Sequence, residues 1–409
     1  MTIVLKNTNK TIEVDGDYLA KKITSCKING ETIKDGYPKL EVNGKKLTLI
    51  EFIEKEKREF YVNLLQNQYS EIENIVILSG AGSSVDIGRT NKGLIMSGLW
   101  DEFEKEDSKT LNTLITATSY DKSKKDLEGL LSMSGIINIA KKDYLKAEIE
   151  KVKQFIVKKC SIDLPDNSPH GKFLNKVTLR PQKYPRVKLF TLNYDTLFEQ
   201  AASEEKFTVI DGFTFSNPRE FNGKYFDYDI IETRHNRQDK KDSTISKLFY
   251  LFKMHGSLDW IKKDNQIIQS DKVPSKTEDR VMIFPQDSKY EHSYEQPYFE
   301  MMARFQQSLR TENTLLISIG FSFVDKHISS VILESLKQNP SLNILAFSYP
   351  SVISNGNEYQ NELNTIAEHY GHVTLVAEKF EDLANEYPTN KAHLRNDFIE
   401  EIAKALKSK

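Results

Sequence analysis

Four apolar stretches in this chain each stop abruptly at a glycine or a small polar cluster, and this punctuation constrains the fold more than any other feature. Ile75-Val76-Ile77-Leu78 runs into Ser79-Gly80-Ala81-Gly82-Ser83-Ser84, and Val187 to Leu192 runs into Asn193-Tyr194-Asp195. Leu248 to Met254 runs into His255-Gly256, and Thr314 to Ile319 runs into Gly320-Phe321-Ser322. Short apolar runs without alternation read as strands covered on both faces, which is the pattern of a parallel sheet. A fifth run at Leu342–Phe347 and helical patterns between several of the runs imply βαβ units. The fold class expected is α/β, a Rossmann-like parallel sheet with an inserted helical subdomain and a small N-terminal β/α appendage.

The 409 residues suit one large α/β domain with additions. Residues 1–70 read as the N-terminal appendage, an oligomer or partner contact. Its short strands turn at Asn29-Gly30 and Asn43-Gly44, and a helical pattern follows from Leu49 to about Gln68. Residues 71–409 read as a nucleotide-binding domain, with the helical insertion over about 94–176. The polar stretch from Thr214 to Ser246 reads as a long surface excursion near the site. Between Gly171 and Lys188 the basic residues Lys172, Lys176, Arg180, Lys183, Arg186 and Lys188 come without an acid. They read as a solvated basic face, or as a contact for a phosphate-rich ligand or an acidic partner.

A net charge of −2 removes a chain-wide basic field, so direct nucleic-acid binding is not expected. Cys26 and Cys160 cannot supply four zinc ligands or a disulfide framework, so no zinc is expected. The first residues lack the layout of a signal peptide, and no apolar run approaches the roughly 20 residues of a membrane helix. A cytoplasmic protein without membrane contact is the expectation.

The strand ends carry the chemistry. After the first run, Gly80, Ala81 and Gly82, with Ser84 and Gly88, form a turn whose amides would approach a diphosphate, assisted by the N-terminus of a helix expected to follow. A plain strand-to-helix turn is the other reading. Thr191, Asn193 and Asp195 sit at the carboxyl end of the second strand, where ligands of open α/β sheets bind, although Asn193 or Asp195 could cap the next helix instead. His255 ends the third strand and reads either as a hydrogen-bonded structural histidine or as a catalyst. Gly320 and Ser322 end the fourth in another glycine turn. Four such turns at four strand ends are what a nucleotide crevice requires.

In this order the residues resemble the sirtuin family. Gly80, Ala81, Gly82, Ser84 and Gly88 match its GAGxS turn with a later glycine, and Thr191, Asn193 and Asp195 match TxNxD. His255-Gly256 matches HG, and Gly320 with Ser322 matches the final GxS turn. Three features depart from the deacylases of that family. Positions 89–93 read Arg-Thr-Asn-Lys-Gly where those enzymes carry Ile-Pro-Asp-Phe-Arg, the four-cysteine zinc module is missing, and the gap from Asn193 to His255 is longer. The phrasing Phe-Thr-Leu-Asn-Tyr-Asp-Thr-Leu and Met-His-Gly-Ser-Leu-Asp-Trp is similar to a divergent bacterial branch acting in antiphage defence as NAD⁺ hydrolases, some paired with a HerA-type hexameric ATPase.

That resemblance implies NAD⁺ as substrate and cleavage of its nicotinamide–ribose bond. Asn193 and His255 would be catalytic, with Asp195 and Ser322 on ribose hydroxyls and Gly320 giving room to the adenosine half. It also implies a homo-oligomer gated by a HerA-type partner. The alternatives are a deacylase or ADP-ribosyl transferase on the same pocket and a non-catalytic NAD⁺ or ADP-ribose sensor. Nucleic-acid cleavage finds no clear carboxylate cluster for a metal.

Overall fold

A computed structural model describes residues 1–34, 41–42, 45–69, 72–181, 183–231, 245–264, 266–270, 280–282, 296–354 and 356–389. The core is a sheet of eleven strands. From one edge these are Glu31–Lys34, Lys22–Ile28, Lys10–Asp17, Thr2–Asn7, Val373–Ala377, Asn343–Ser348, Thr314–Ile319, Asn74–Ser79, Lys188–Thr191, Leu248–Lys253 and Thr208–Ile210. The last seven run parallel to one another. Every residue of Thr314–Ile319 is buried, as its unbroken apolar run requires.

The first four strands form an antiparallel meander that joins the parallel part through Leu5 opposite Val376. Its turn at Asn29-Gly30 holds both residues at positive φ, 49° and 85°, a geometry that suits a two-residue hairpin. The helix Leu49–Asn63 starts from a capping box in which Thr48 and Glu51 satisfy each other's backbone amides. The Asn43-Gly44 turn lies outside the described residues.

Helices Met96–Thr118, Leu127–Ala140 and Lys146–Cys160 form a second core around Trp100, Phe103, Leu130, Val152 and Phe155. The turn after Asn74–Ser79 does not lead into an α-helix. Only the short 3-10 turn Ala81–Ser83 follows, and the next α-helix begins at Met96. In between, the chain closes on itself, with Asp86 donating to the Gly93 carbonyl at 3.1 Å and Gly93 to that of Ile87 at 2.9 Å. The helix macrodipole expected beside the glycine turn is therefore absent from it.

The excursion expected from Thr214 is not simply a surface loop in its first part. Arg219–Glu220 joins Gly256–Lys263, Gln266–Gln269 and Arg280–Met282 in a small antiparallel sheet, and buried Phe226 stacks on Phe252 with centroids 4.2 Å apart. Phe221 and Phe226 supply the apolar surface that the polar residues around them obscure. Residues 232–244 of that excursion are outside the described residues. The basic run disperses into local contacts. Arg180 donates to the carbonyls of Glu73 and Ile72, Arg186 pairs with Asp229 at 3.2 Å, and Lys172 and Lys176 reach Asn385. Among the described residues no helix is long and apolar enough to cross a membrane.

His170 lies fully buried between Phe198 and Phe380, with ring centroids 4.8 and 5.0 Å away. Burial pushes its imidazole down to about 3. A folded-state value below the unfolded one gives stability that is complete above the unfolded value near 6.5 and is lost as pH falls from there towards 3. At about pH 5 the loss is roughly 2 kcal/mol. His170→Phe should therefore flatten the decline of Tm between neutral pH and about pH 4, as measured by thermal melts in a pH series. Parallel declines for wild type and variant would refute this.

Candidate functional site

The parallel strands reverse their order at the pair Asn74–Ser79 and Thr314–Ile319. From Asn74–Ser79 the chain builds outward through Lys188–Thr191 on one side, and later strands add on the other side beginning with Thr314–Ile319. Open α/β sheets bind ligands at such a switch point, beyond the carboxyl ends of the strands. Here both carboxyl ends carry glycine turns, and the turns touch backbone to backbone. The Gly80 amide donates to the Ile319 carbonyl and the Gly82 amide to that of Gly320, both at 2.9 Å. A Cβ on Gly82 would come within 2.6 Å of the Gly320 Cα, and one on Gly320, where φ is +60°, within 2.4 Å of the Gly82 Cα. The glycines are thus required by each other before any ligand enters.

This contact also limits what the turn can offer an anion. The amides of Gly80, Gly82, Ser83 and Ser84 all donate to protein carbonyls. Among the described residues the Ala81 amide is the one in the turn not engaged this way, and Ala81 is exposed. The turn therefore presents a single amide in place of the full run expected from the sequence.

Asn193 links the neighbouring strand to this turn. Its side-chain amide lies 3.1 Å from the Gly80 carbonyl, 3.1 Å from the Ser83 hydroxyl and 2.9 Å from the Ser84 hydroxyl. A carbonyl can only accept, so the amide nitrogen is the atom facing the turn. Among the described residues Oδ1 takes no hydrogen bond. The proton directions are consistent throughout. Ser83 donates to Gly80 at 2.9 Å, and Ser84 donates to Asp195 at 2.7 Å. The Thr191 hydroxyl accepts the Asn193 backbone amide at 3.1 Å.

Asp195 is buried, with one oxygen on Ser84 and the other on the Leu197 amide at 3.1 Å. Burial raises its carboxyl above the usual range, against the opposing pull of Lys253 and those hydrogen bonds. Both oxygens are engaged, so in this arrangement Asp195 braces Ser84 and accepts from the first amide of the helix Leu197–Glu204, whose N-cap position is Thr196. Lys253 is a part of the site that sequence reading missed. It is 2 % exposed, donates to the Asp195 carbonyl and pairs with Glu199 at 2.8 Å. Burial pushes Glu199 up to about 7 even with the ammonium beside it. The available signal was one lysine ending the otherwise apolar strand LFYLFK.

His255 leaves the end of that same strand and reaches Asp325, with Nε2 3.4 Å from Oδ2. Gly256 follows at φ +83°, where a Cβ would meet the Val281 carbonyl at 2.0 Å. The structure thus gathers Gly80, Gly82, Ser84, Thr191, Asn193, Asp195 and Gly320 into one contact network, with Ala81 exposed in the same turn. Gly88 packs instead against Asn91 and Ile162, and Ser322 is exposed without a bond to the network.

Gly320→Ala should separate the two turns and cost about 3 kcal/mol through backbone strain and the clash with Gly82, read as a lower midpoint in urea unfolding. A loss within about 0.5 kcal/mol, the range of ordinary surface substitutions, would show that the turns part freely.

Residues 187–374 match the family model of the SIR2-like domain. No curated protein matches the chain. A solved structure, "Sir2 bound to acetylated peptide", is similar at 11 % sequence identity over 80 % of this chain and 96 % of that one, with a TM-score of 0.33. The matched range holds Thr191, Asn193, Asp195, His255, Gly320 and Ser322, and the glycine turn at 80–84 that Asn193 binds lies before it. Over residues 187–374 the chain is therefore similar to the SIR2-like domain family.

Proposed function

We propose that this chain is an NAD⁺ glycohydrolase that cleaves the nicotinamide–ribose bond to release nicotinamide and ADP-ribose. The observation that carries the reading is the fixed carboxamide of Asn193. Its nitrogen is tied to the glycine turn at the switch point, which leaves Oδ1 as an acceptor at the carboxyl ends of the strands. The similarity to SIR2-like domains over residues 187–374 supports NAD⁺ as the nucleotide.

In this reaction the C1′–N bond breaks, its electron pair leaves with neutral nicotinamide, and the ribose passes through an oxocarbenium-like state that water captures. The protein's task is to hold the dinucleotide and aim the water. Asn193 Oδ1 accepts a hydrogen bond from that water or from a ribose hydroxyl. His255, at the adjoining strand end, takes the proton released as the new C–O bond forms. Ala81 offers its amide to the diphosphate. Ser322, exposed beyond Gly320, is within the chain segment that would meet a ribose hydroxyl, and Gly320 keeps the adenosine side open. Asp195 supports the site through Ser84.

The altered residues at 89–93 and the missing cysteine module favour hydrolysis over transfer to an acyl-lysine. The sequence resemblance to defence-system hydrolases extends the proposal to NAD⁺ depletion by a homo-oligomer gated through a HerA-type ATPase. Full activity from an isolated monomer would remove that gating.

With its assembly partner present and no acyl-lysine peptide added, the chain should release nicotinamide and ADP-ribose from NAD⁺ in equal amounts. Asn193→Ala and His255→Ala should each lower turnover about 100-fold or more while the fold survives, read as cooperative thermal melts. Wild-type rates in both variants would overturn the assignment, and release that depends on an added acyl-lysine peptide would make the chain a deacylase.

A further inference from the structure

His255 and Asp325 arrive from opposite sides of the crevice. His255 follows strand Leu248–Lys253 and Asp325 follows strand Thr314–Ile319. Strands Asn74–Ser79 and Lys188–Thr191 lie between those two in the sheet. Three strand spacings amount to about 14 Å. The side chains nevertheless meet at 3.4 Å, with 16 % of the imidazole and 10 % of the carboxylate side chain exposed. The pair therefore reaches across the carboxyl ends of the strands that carry the glycine turn and Asn193.

The loop that delivers Asp325 is firmly held. Buried Phe323 sits at φ 57°, a conformation a bulky side chain adopts only when its surroundings impose it. Its carbonyl accepts from the Asn357 amide at 2.7 Å and the Ser329 hydroxyl at 3.0 Å. Asp325 then caps the helix Lys326–Gln338, with Oδ1 accepting from the amides of His327 at 3.1 Å and Ile328 at 3.4 Å. One carboxylate oxygen serves the helix and the other serves His255. The first turn of a helix is where a negative charge is favoured.

We propose that Asp325 is the positioning residue for His255, receiving its Nε2–H so that the imidazole is fixed in one tautomer and Nδ1 is the nitrogen that accepts the proton. The inference rests on the NAD⁺-hydrolase reading above for its chemistry, while the pairing itself is independent of substrate. During the reaction the proton from water passes to Nδ1, the Nε2–H stays on the ring facing Asp325, and the carboxylate remains unprotonated while it stabilises the imidazolium. Tyr194, next to Asn193, is raised well above its usual value by burial first, and then by Glu128, Cys160, Tyr298 and Asp325, so Asp325 also acts on that buried hydroxyl.

Asparagine also caps helices well, so Asp325→Asn removes the charge and keeps the cap. Asp325→Ser provides a second neutral cap. Histidine ring signals of the full chain, labelled with ¹⁵N and assigned by the loss of one signal in His255→Gln, report the titration of His255 directly. In both Asp325 variants the His255 midpoint should fall by about one pH unit, with thermal melts close to wild type. Nicotinamide release should fall about tenfold or more in kcat, KM for NAD⁺ should stay within about threefold, and the acidic limb of the pH–rate profile should move down with the midpoint. An unmoved midpoint overturns the proposal whatever the activity. A lowered midpoint in the variants, beside a wild-type protein that releases no nicotinamide even with its assembly partner present, supports the pair and removes the hydrolase reading.

Discussion

The contact between the turns at Gly80–Gly82 and Gly320 sets the geometry on which the crevice depends. Two parallel strands end side by side, and their exits press backbone against backbone with no side chain between them. That approach fixes the Gly80 carbonyl and the Ser83 and Ser84 hydroxyls as a group of acceptors. Asn193 can then be oriented from the next strand by its nitrogen alone. A side chain at either glycine would move the acceptors before it touched any ligand.

The same contact explains why this turn differs from a dinucleotide loop that opens a helix. Such a loop leaves several amides free and adds a macrodipole. Here four amides are engaged within the protein and the chain moves away in a closed loop to Met96. Of the turn's amides only that of Ala81 is left without a carbonyl partner among the described residues, so on the reading proposed above recognition falls to side chains arriving from other strand ends, Asn193 and the His255–Asp325 pair. The sheet order brings them over one crevice although 132 residues separate Asn193 from Asp325 in sequence (325 − 193).

The parts legible in sequence were those governed by burial on two faces. Thr314–Ile319 was read with its bounds intact, and the runs near Ile75, Leu189, Leu251 and Leu345 lie within a residue or two of the observed strands. Thr208–Ile210 escaped notice because three residues carry no period, and Val373–Ala377 because its single apolar run follows a helix without a motif. The small sheet from Gly256 onward is held by distant pairings, such as Arg219 opposite Gln269, that local pattern does not encode. At the site, the order of motifs pointed to Asn193 and His255. Lys253 left only the signal of a lysine ending an apolar strand and Asp325 left none, because their roles come from partners on other elements: the Asp195 carbonyl and Glu199 for one, the imidazole for the other.

The flanks of the sheet bear on the crevice as well. A parallel sheet that ended at Val373–Ala377 would expose a full edge strand to pairing by another chain. The N-terminal meander occupies that edge, and its junction is fixed by Lys57. This lysine is 1 % exposed, donates to the Ala377 carbonyl and the Tyr18 hydroxyl at 2.6 Å each, and pairs with Glu54 at 2.9 Å and Glu378 at 3.3 Å. Burial pushes Glu378 up to about 7 against the pull of Lys57 and Arg58. Removing one charge from such a cluster strands the others without water. The opposite edge ends in the three residues Thr208–Ile210, too short to recruit a partner strand readily. With the meander on one edge and only a three-residue strand on the other, the switch point between Asn74–Ser79 and Thr314–Ile319 lies well inside the sheet, where Asn193 meets the glycine turn and His255 meets Asp325.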